Sequence, residues 1–290
     1  MECIINQVDP QFDIAQGFKY RLSVLLCQDG FSFLVTHSIS QKVLKLLSYK
    51  LATGIHKEES AGWPASGNDY FDQLKQVDCA QMQWQRVDIA VASQKITIAP
   101  HDFMGDANDR NIISAAFPVS LGEQILSEPV FDLGPVAAIL VPGYITGFCA
   151  EIFPGSHLRN EAAVFVKGIL RKHSQLIARQ VFINIYHDFF EISVIQGLRL
   201  LYVNAFRYSS PSDVLYYVIF VLEQLGFVPS EERVTLLGDI SDNSTIYLQL
   251  KMYCGSLNFI AKPVELEYGE AFAGTDMHKY FTLLNIPLCE

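Results

Sequence analysis

The sequence predicts an α/β protein of two related domains, with mixed sheets flanked by helices. Three observations carry this. The chain has 290 residues, enough for about two domains at roughly 150 residues each. Half its residues are hydrophobic and 18% are charged, so it can bury a large core. A strand–turn–strand unit also occurs twice. With Asp29 placed over Asp188, "VLLCQDGFSFLV" falls on "INIYHDFFEISV". Val24 then meets Ile183, Leu26 meets Ile185, and Phe31, Phe33 and Val35 meet Phe190, Ile192 and Val194. The expected division is residues 1–155 and 156–290.

The first domain opens with "RLSVLLCQDGFSFLVTH", two alternating strands around an Asp-Gly dipeptide, which reads as a hairpin. "SQKVLKLLSYKL" has apolar residues at helical spacing with Ser40 placed to cap it, so a helix is expected there. Residues 53–68 are loop-like, and "DYFDQLKQV" is a short amphipathic segment. "VDIAVASQKITIAP" reads as another hairpin. "DANDRNIISAAF" reads as a short helix with an Asp or Asn cap. "EQILSEPV" and "VAAILVP" read as strands, the second buried by its unbroken apolar run.

The second domain opens with "EAAVFVKGILRKHS", which fits either helix or strand. The hairpin around "YHDF" follows, then the strand "GLRLLYVNAFRY". In "SSPSDVLYYVIFVLEQLGF" Ser212 is the expected cap, Asp213 suits the positive end of the helix dipole, and Gly226 can end the helix. Its apolar residues nearly encircle it, so deep burial is expected. "RVTLLGD" is a short strand, "STIYLQLKMY" a helix, "SLNFIAK" a strand and "DMHKYFTLLN" a last helix.

Net charge is −10 and the pI about 5.2. No basic stripe or tail marks a nucleic-acid surface. Mean hydropathy is +0.21, yet the longest clean apolar run, residues 214–222, is far shorter than the roughly 20 residues that span a bilayer. No basic-then-apolar leader is read at the start. The cysteines, Cys3, Cys27, Cys79, Cys149, Cys254 and Cys289, are scattered. They suit reduced structural thiols in a cytoplasmic protein better than a zinc site or disulfide frame.

The paired hairpins and the stretches "GLRLLYVNAFRYSSPSDVLYYVIFVLEQLGF" and "VTLLGDISDNSTIYLQL" resemble the actin-like ATPase superfamily, of ribonuclease H-like fold. More specifically they resemble an uncharacterised bacterial family assigned to that fold. The resemblance implies an interdomain cleft. There, two hairpin turns would hold nucleotide phosphates through backbone N–H groups, and glycines would permit close approach. It implies an aspartate late in the first strand of each hairpin, positioning Mg²⁺ or water, and a glycine run beside the adenosine.

Carried over, the two aspartate positions fall on Leu25 and Asn184. The first turn keeps Asp29 and Gly30, whereas the second carries His187 and Asp188 between bulky residues. The adenosine-side run retains Gly238 and places Asp239 where a glycine is expected. The reading that follows is a protein that has lost ATPase activity, needs no cofactor and binds another protein as partner or scaffold. The alternative is an unconventional nucleotide-binding protein or phosphotransferase using Mg-ATP, with Asp29, Asn184, Asp188 and Asp239 supplying metal or base functions. A small-molecule sensor without catalysis is a third reading.

Each feature also has a plain reading. Asp29-Gly30 serves a hairpin turn. His187-Asp188 and His101-Asp102 are solvated turns. Asp239 and Asp242 lack the spacing of a calcium loop and suit a helix-capping loop. Asn243-Ser244-Thr245 matches a glycosylation acceptor, without meaning inside a cell. Cys27 reads as a small apolar residue. Tyr216, Tyr217, Phe220, Trp63 and Trp84 read as core aromatics rather than a binding patch. No Walker A loop, dinucleotide fingerprint, H-E-x-x-H or G-x-S-x-G occurs.

Overall fold

The structure is a computed structural model and describes residues 1–51, 63, 68–104, 109–132, 134–173, 175 and 178–289. In chain order come β1 (Glu2–Val8), β2 (Tyr20–Cys27), β3 (Gly30–His37), β4 (Lys42–Lys50), α1 (Asn68–Lys75) and α2 (Asp78–Gln81). Next are β5 (Arg86–Val91), β6 (Ile96–Ala99), α3 (Asp109–Ala116), β7 (Glu123–Pro129), β8 (Val136–Pro142), α4 (Gly143–Ile152), β9 (His157–Asn160) and α5 (Glu161–His173). The rest are β10 (Arg179–Ile185), β11 (Phe189–Gln196), β12 (Arg199–Arg207), α6 (Pro211–Gln224), β13 (Arg233–Gly238), α7 (Thr245–Tyr253), β14 (Ser256–Phe259), β15 (Glu267–Tyr268) and α8 (Phe281–Asn285).

These elements form two compact units. One comprises residues 1–167, 263–275 and 282–290; the other comprises 168–262 and 276–281. The chain therefore changes unit beyond the expected boundary at 155/156, and most of its C-terminal stretch returns to the first unit. Residues 276–281 stay with the second, where His278 Nε2 lies 2.8 Å from the Ile240 carbonyl and its ring stacks on Phe259.

The first unit holds a seven-stranded sheet, in which β1, β4, β3, β2, β5 and β9 lie in that order with β15 also paired to β4, and a three-stranded sheet of order β6-β8-β7. The second holds a five-stranded sheet of order β12-β11-β10-β13-β14. The run β4-β3-β2-β5-β9 has the same sequence of pairings as β12-β11-β10-β13-β14. In each, two antiparallel pairings lead to two parallel ones. The registers also agree. Leu26 faces Phe31 as Ile185 faces Phe190, and Leu25 faces Ser32 as Asn184 faces Glu191.

One face of each hairpin is apolar because side chains alternate along a strand. Val181, Ile183, Ile185, Phe190, Ile192 and Val194 form a buried core with Val214, Val218, Val221 and Leu222 of α6. The equivalent residues Leu22, Val24, Leu26, Phe31, Phe33 and Val35 are buried in the first sheet.

Several expectations are corrected. The expected helix at residues 40–51 is instead the strand β4, Lys42–Lys50. Thr36 pairs with Val43 and Val35 with Lys45, leaving Leu44 as an extra bulge residue. The bulge breaks the two-residue period and spaces Val43, Leu44, Leu46 and Leu47 like a helix face. Residues 87–100 are not a hairpin: β5 joins β2 and β9 in parallel, while β6 pairs with β8 in another sheet.

The cap of α6 is Ser210, which accepts from the Asp213 N–H, while Asp213 accepts from the Ser210 N–H. This capping box displaces Ser212. The helix is buried on one side only: Tyr216 is 63% exposed and Phe220 46%. Trp63 is buried as expected. The last expected helix is divided between a 3-10 turn, Met277–Tyr280, and α8. Residues 161–173 resolve as helix. Apart from Trp63, nearly all of the loop at 53–68 lies outside the described residues, as does the Asp or Asn cap before α3.

Candidate functional site

In the first hairpin, Leu25 is half-buried on the face opposite Val24 and Leu26. It offers hydrocarbon where a carboxylate is expected. On the same face, the Ser32 hydroxyl is bonded to the Ser48 hydroxyl at 2.8 Å. Gly30 has a local role: a Cβ there would lie 2.1 Å from the Tyr49 carbonyl oxygen, so only glycine lets β4 approach. The Asp29 carbonyl accepts from the Leu51 N–H at 2.8 Å.

The turn is also held from α1. The buried Tyr70 hydroxyl lies 2.8 Å from the Gly30 carbonyl and 3.0 Å from that of Cys27. Burial holds its pKa well above the ordinary tyrosine range, so it stays a neutral donor.

The second hairpin is held partly from within and partly by Tyr208, just beyond β12. The Tyr186 N–H donates to the Phe189 carbonyl at 2.9 Å and closes a tight turn, with His187 exposed and Asp188 half-buried at its tip. The rings of Tyr186 and Phe189 stack at 4.4 Å and 12°. The Tyr208 hydroxyl donates to the Tyr186 carbonyl at 2.6 Å, and the Tyr208 N–H to the Asp188 carbonyl at 3.0 Å.

Asn184, late in β10, is 2% exposed. Its Nδ2 donates to the Tyr186 hydroxyl and to Glu191 Oε2, each at 3.0 Å. Both amide protons are thereby committed. Gly238 ends β13 opposite Ile185 with a φ of +83°. A Cβ there would lie 2.2 Å from the Ile185 carbonyl oxygen and 2.7 Å from Asn184 Oδ1. Asp239 is exposed just beyond, and its N–H donates to the Ile185 carbonyl at 2.8 Å.

The second unit thus brings Asn184 and Gly238 together, and adds Tyr186 and Glu191, which sequence reasoning did not single out. Glu191 had a signal: it is one charge inside the apolar run "FFEISVI", and a buried carboxylate needs hydrogen-bonding partners. Tyr70 had none, because its partners lie 40 and 43 residues away.

A separate polar cluster in the first unit was also missed. Asp88 on β5 is fully buried, 2.8 Å from Arg86 Nε, 3.5 Å from Arg21 Nη2 and 3.6 Å from Arg159 Nε. Glu128 is 2.9 Å from Arg159 Nη1 and 2.6 Å from Lys167 Nζ, and accepts from the Asn160 N–H at 2.9 Å. Arg159 also donates to the Cys289 carbonyl. This network ties β2, β5, β7, β9 and the returning C-terminal chain together.

His101 and Asp102 sit exposed in a 3-10 turn. Asp239 and Asp242 are exposed, and Ser244 caps α7 by accepting from the Tyr247 N–H at 3.2 Å. No group of three or more His, Cys, Asp or Glu is arranged to hold a metal among the described residues. Burial pushes the Cys79 and Cys254 thiols up to about 11 and Cys149 up to about 12. These thiols stay protonated and unreactive at neutral pH. No helix among the described residues is long and apolar enough to cross a membrane.

Comparison with solved structures agrees with this geometry. A Bacteroides thetaiotaomicron protein, described as having an actin-like ATPase fold and unknown function, is 18% identical with a TM-score of 0.79; the match covers 97% of this chain and 100% of that one. The type IV pilus biogenesis complex of PilM and PilN contains a chain 11% identical with a TM-score of 0.67, covering 92% of this chain and 97% of that one. The protein therefore has the actin-like ATPase fold. No curated protein sequence matches it. Residues 9–257 match the family described as Protein of unknown function (DUF3822), and the chain belongs to that family.

Proposed function

We propose that this protein keeps the actin-like architecture without a working ATPase, and acts in the cytoplasm by binding another protein or as a scaffold. The observation that carries the reading is the second hairpin. A magnesium–triphosphate complex takes hard, negatively charged oxygens and open backbone donors. Asn184 offers a neutral amide whose two protons are spent on Tyr186 and Glu191. The stacked rings of Tyr186 and Phe189 crowd the turn. In the first unit Leu25 offers no oxygen, and Gly30 is accounted for by the approach of β4. These residues are a poor fit for Mg-ATP, and no step is routed through it.

The matching strand order of the two central sheets supports an origin by internal duplication. Fold alone does not specify function, so the reading rests on these side chains. Thermal unfolding with and without millimolar Mg-ATP tests it, because a ligand that binds only the native state raises the melting temperature. No rise and no phosphate release are expected. A rise abolished by changing Asp29 or Asp188, together with turnover, would overturn the reading in favour of an unconventional phosphotransferase.

A further inference from the structure

The two central sheets share an order but not an edge. In the first, β4 is covered on its outer side by β1, antiparallel, and by β15, parallel. Its counterpart β12 is the last strand of its sheet, and among the described residues no strand pairs with its outer side. The outer side of this nine-residue strand meets no neighbouring strand among the described residues, although its Ala205 N–H donates to Asn204 Oδ1 at 2.9 Å. Natural sheets blunt such an edge with proline, lysine, an inward charge or a bulge. The interior of β12, "LLYVNAF", carries no proline, lysine or other charge, and its one register shift against β11 falls at Leu201, near its start. Only its ends are charged, by the exposed Arg199 and Arg207.

An aromatic shelf adjoins this edge. Tyr217 of α6 stacks on Phe206 of β12 at 4.8 Å. Tyr216 meets Tyr217 edge-on at 5.3 Å and stacks with Phe220 at 6.2 Å. Rings therefore lead from the edge strand to two exposed side chains, and Leu201 on the strand itself is 39% exposed.

We propose that the β12 edge and the Tyr216–Phe220 shelf take up an extended segment of a partner protein, apolar in its middle and acidic at both ends. Each part of the surface selects one property. The strand edge requires a further strand, the rings require apolar side chains, and the two arginines require acids. Self-pairing of two copies about Val203 would set Arg199 against Arg207 twice, and facing like charges are unfavourable. The need for a partner rests on the protein-binding reading above; the chemistry of the edge does not.

The test uses the intact chain and two fluorescent nine-residue peptides of alternating valine and threonine, one ending in glutamates and one in lysines. The glutamate peptide is expected to bind at least about ten-fold more tightly and to slow hydrogen exchange within residues 199–207. Arg199→Glu with Arg207→Glu, both at exposed sites, should reverse that preference. Tyr216→Ser with Phe220→Ser should weaken binding at an unchanged melting temperature. Equal binding of both peptides, or no protection of 199–207, overturns the proposal. A concentration-dependent dimer that protects the same amides without peptide overturns it too, and assigns the edge to a second copy. Mg-ATP hydrolysis by the same preparation would refute the proposed function and leave the peptide result standing.

Discussion

The hairpins β2–β3 and β10–β11 have the same register, yet their tips are secured by different means. The first borrows its support: Tyr70 reaches in from α1, and Gly30 yields space to β4. The second relies mainly on its own residues, through the Asn184–Glu191 hydrogen bond and the Tyr186–Phe189 stack, and is joined by the Tyr208 hydroxyl from just beyond β12. The difference teaches that ladder hydrogen bonds and one apolar face are enough to specify a strand pair. The opposite face and the tip remain open to either solution.

The largest expected effect comes from the buried charges of the first sheet. Asp88→Ala leaves Arg21, Arg86 and Arg159 without their shared acid. Breaking a buried pair in this way costs about 3–5 kcal/mol, read as a lower urea midpoint. A loss below about 1 kcal/mol would show that water reaches this cluster, as at a surface pair.

Gly238→Ala comes next. A left-handed residue carries a conformational cost of about 1–3 kcal/mol, and the new Cβ would meet the Ile185 carbonyl oxygen at 2.2 Å. Unchanged stability would remove the structural account of this glycine. Tyr70→Phe separates the two hairpins, since only the first loses a hydrogen bond; about 1 kcal/mol is expected. Hydrogen exchange should then rise around the first turn and not the second.

The smallest effect is pH-dependent. His173, packed edge-on to Phe182, has its pKa lowered by burial and then by Lys172. The unfolded chain therefore takes up the proton more readily. The stability contributed by His173 is complete above its ordinary value of 6.5 and falls as pH drops through that value. His173→Phe should flatten the change in urea midpoint between about pH 7.5 and pH 5.5, a window that spans the ordinary histidine range. An unchanged slope would place the titration elsewhere.

Much of the fold was legible in the sequence because its signals are local. Alternation marked β2, β3, β10 and β11, and matching Asp29 with Asp188 set the two hairpins at equivalent positions, as their pairings show. The failures also have local causes. The bulge at Leu44 gave β4 a helical spacing. An almost wholly apolar α6 concealed that Tyr216 and Phe220 face outward, since periodicity cannot orient a helix that is apolar on every side. Of the candidate site, Asn184 and Gly238 were legible through the resemblance to the actin-like superfamily. Glu191 could have been found as an isolated acid in an apolar strand. Tyr70 and Tyr208 could not.

The sequence by itself determined the two hairpins β2–β3 and β10–β11 and the apolar face of each, because a turn and a two-residue period are written within a dozen neighbouring residues. Only the tertiary structure decided which edge is covered, what fills each hairpin tip and which acids find their arginines. Those outcomes depend on residues brought together from distant parts of the chain: Arg21 and Asp88 are 67 positions apart. No local pattern records a contact of that range.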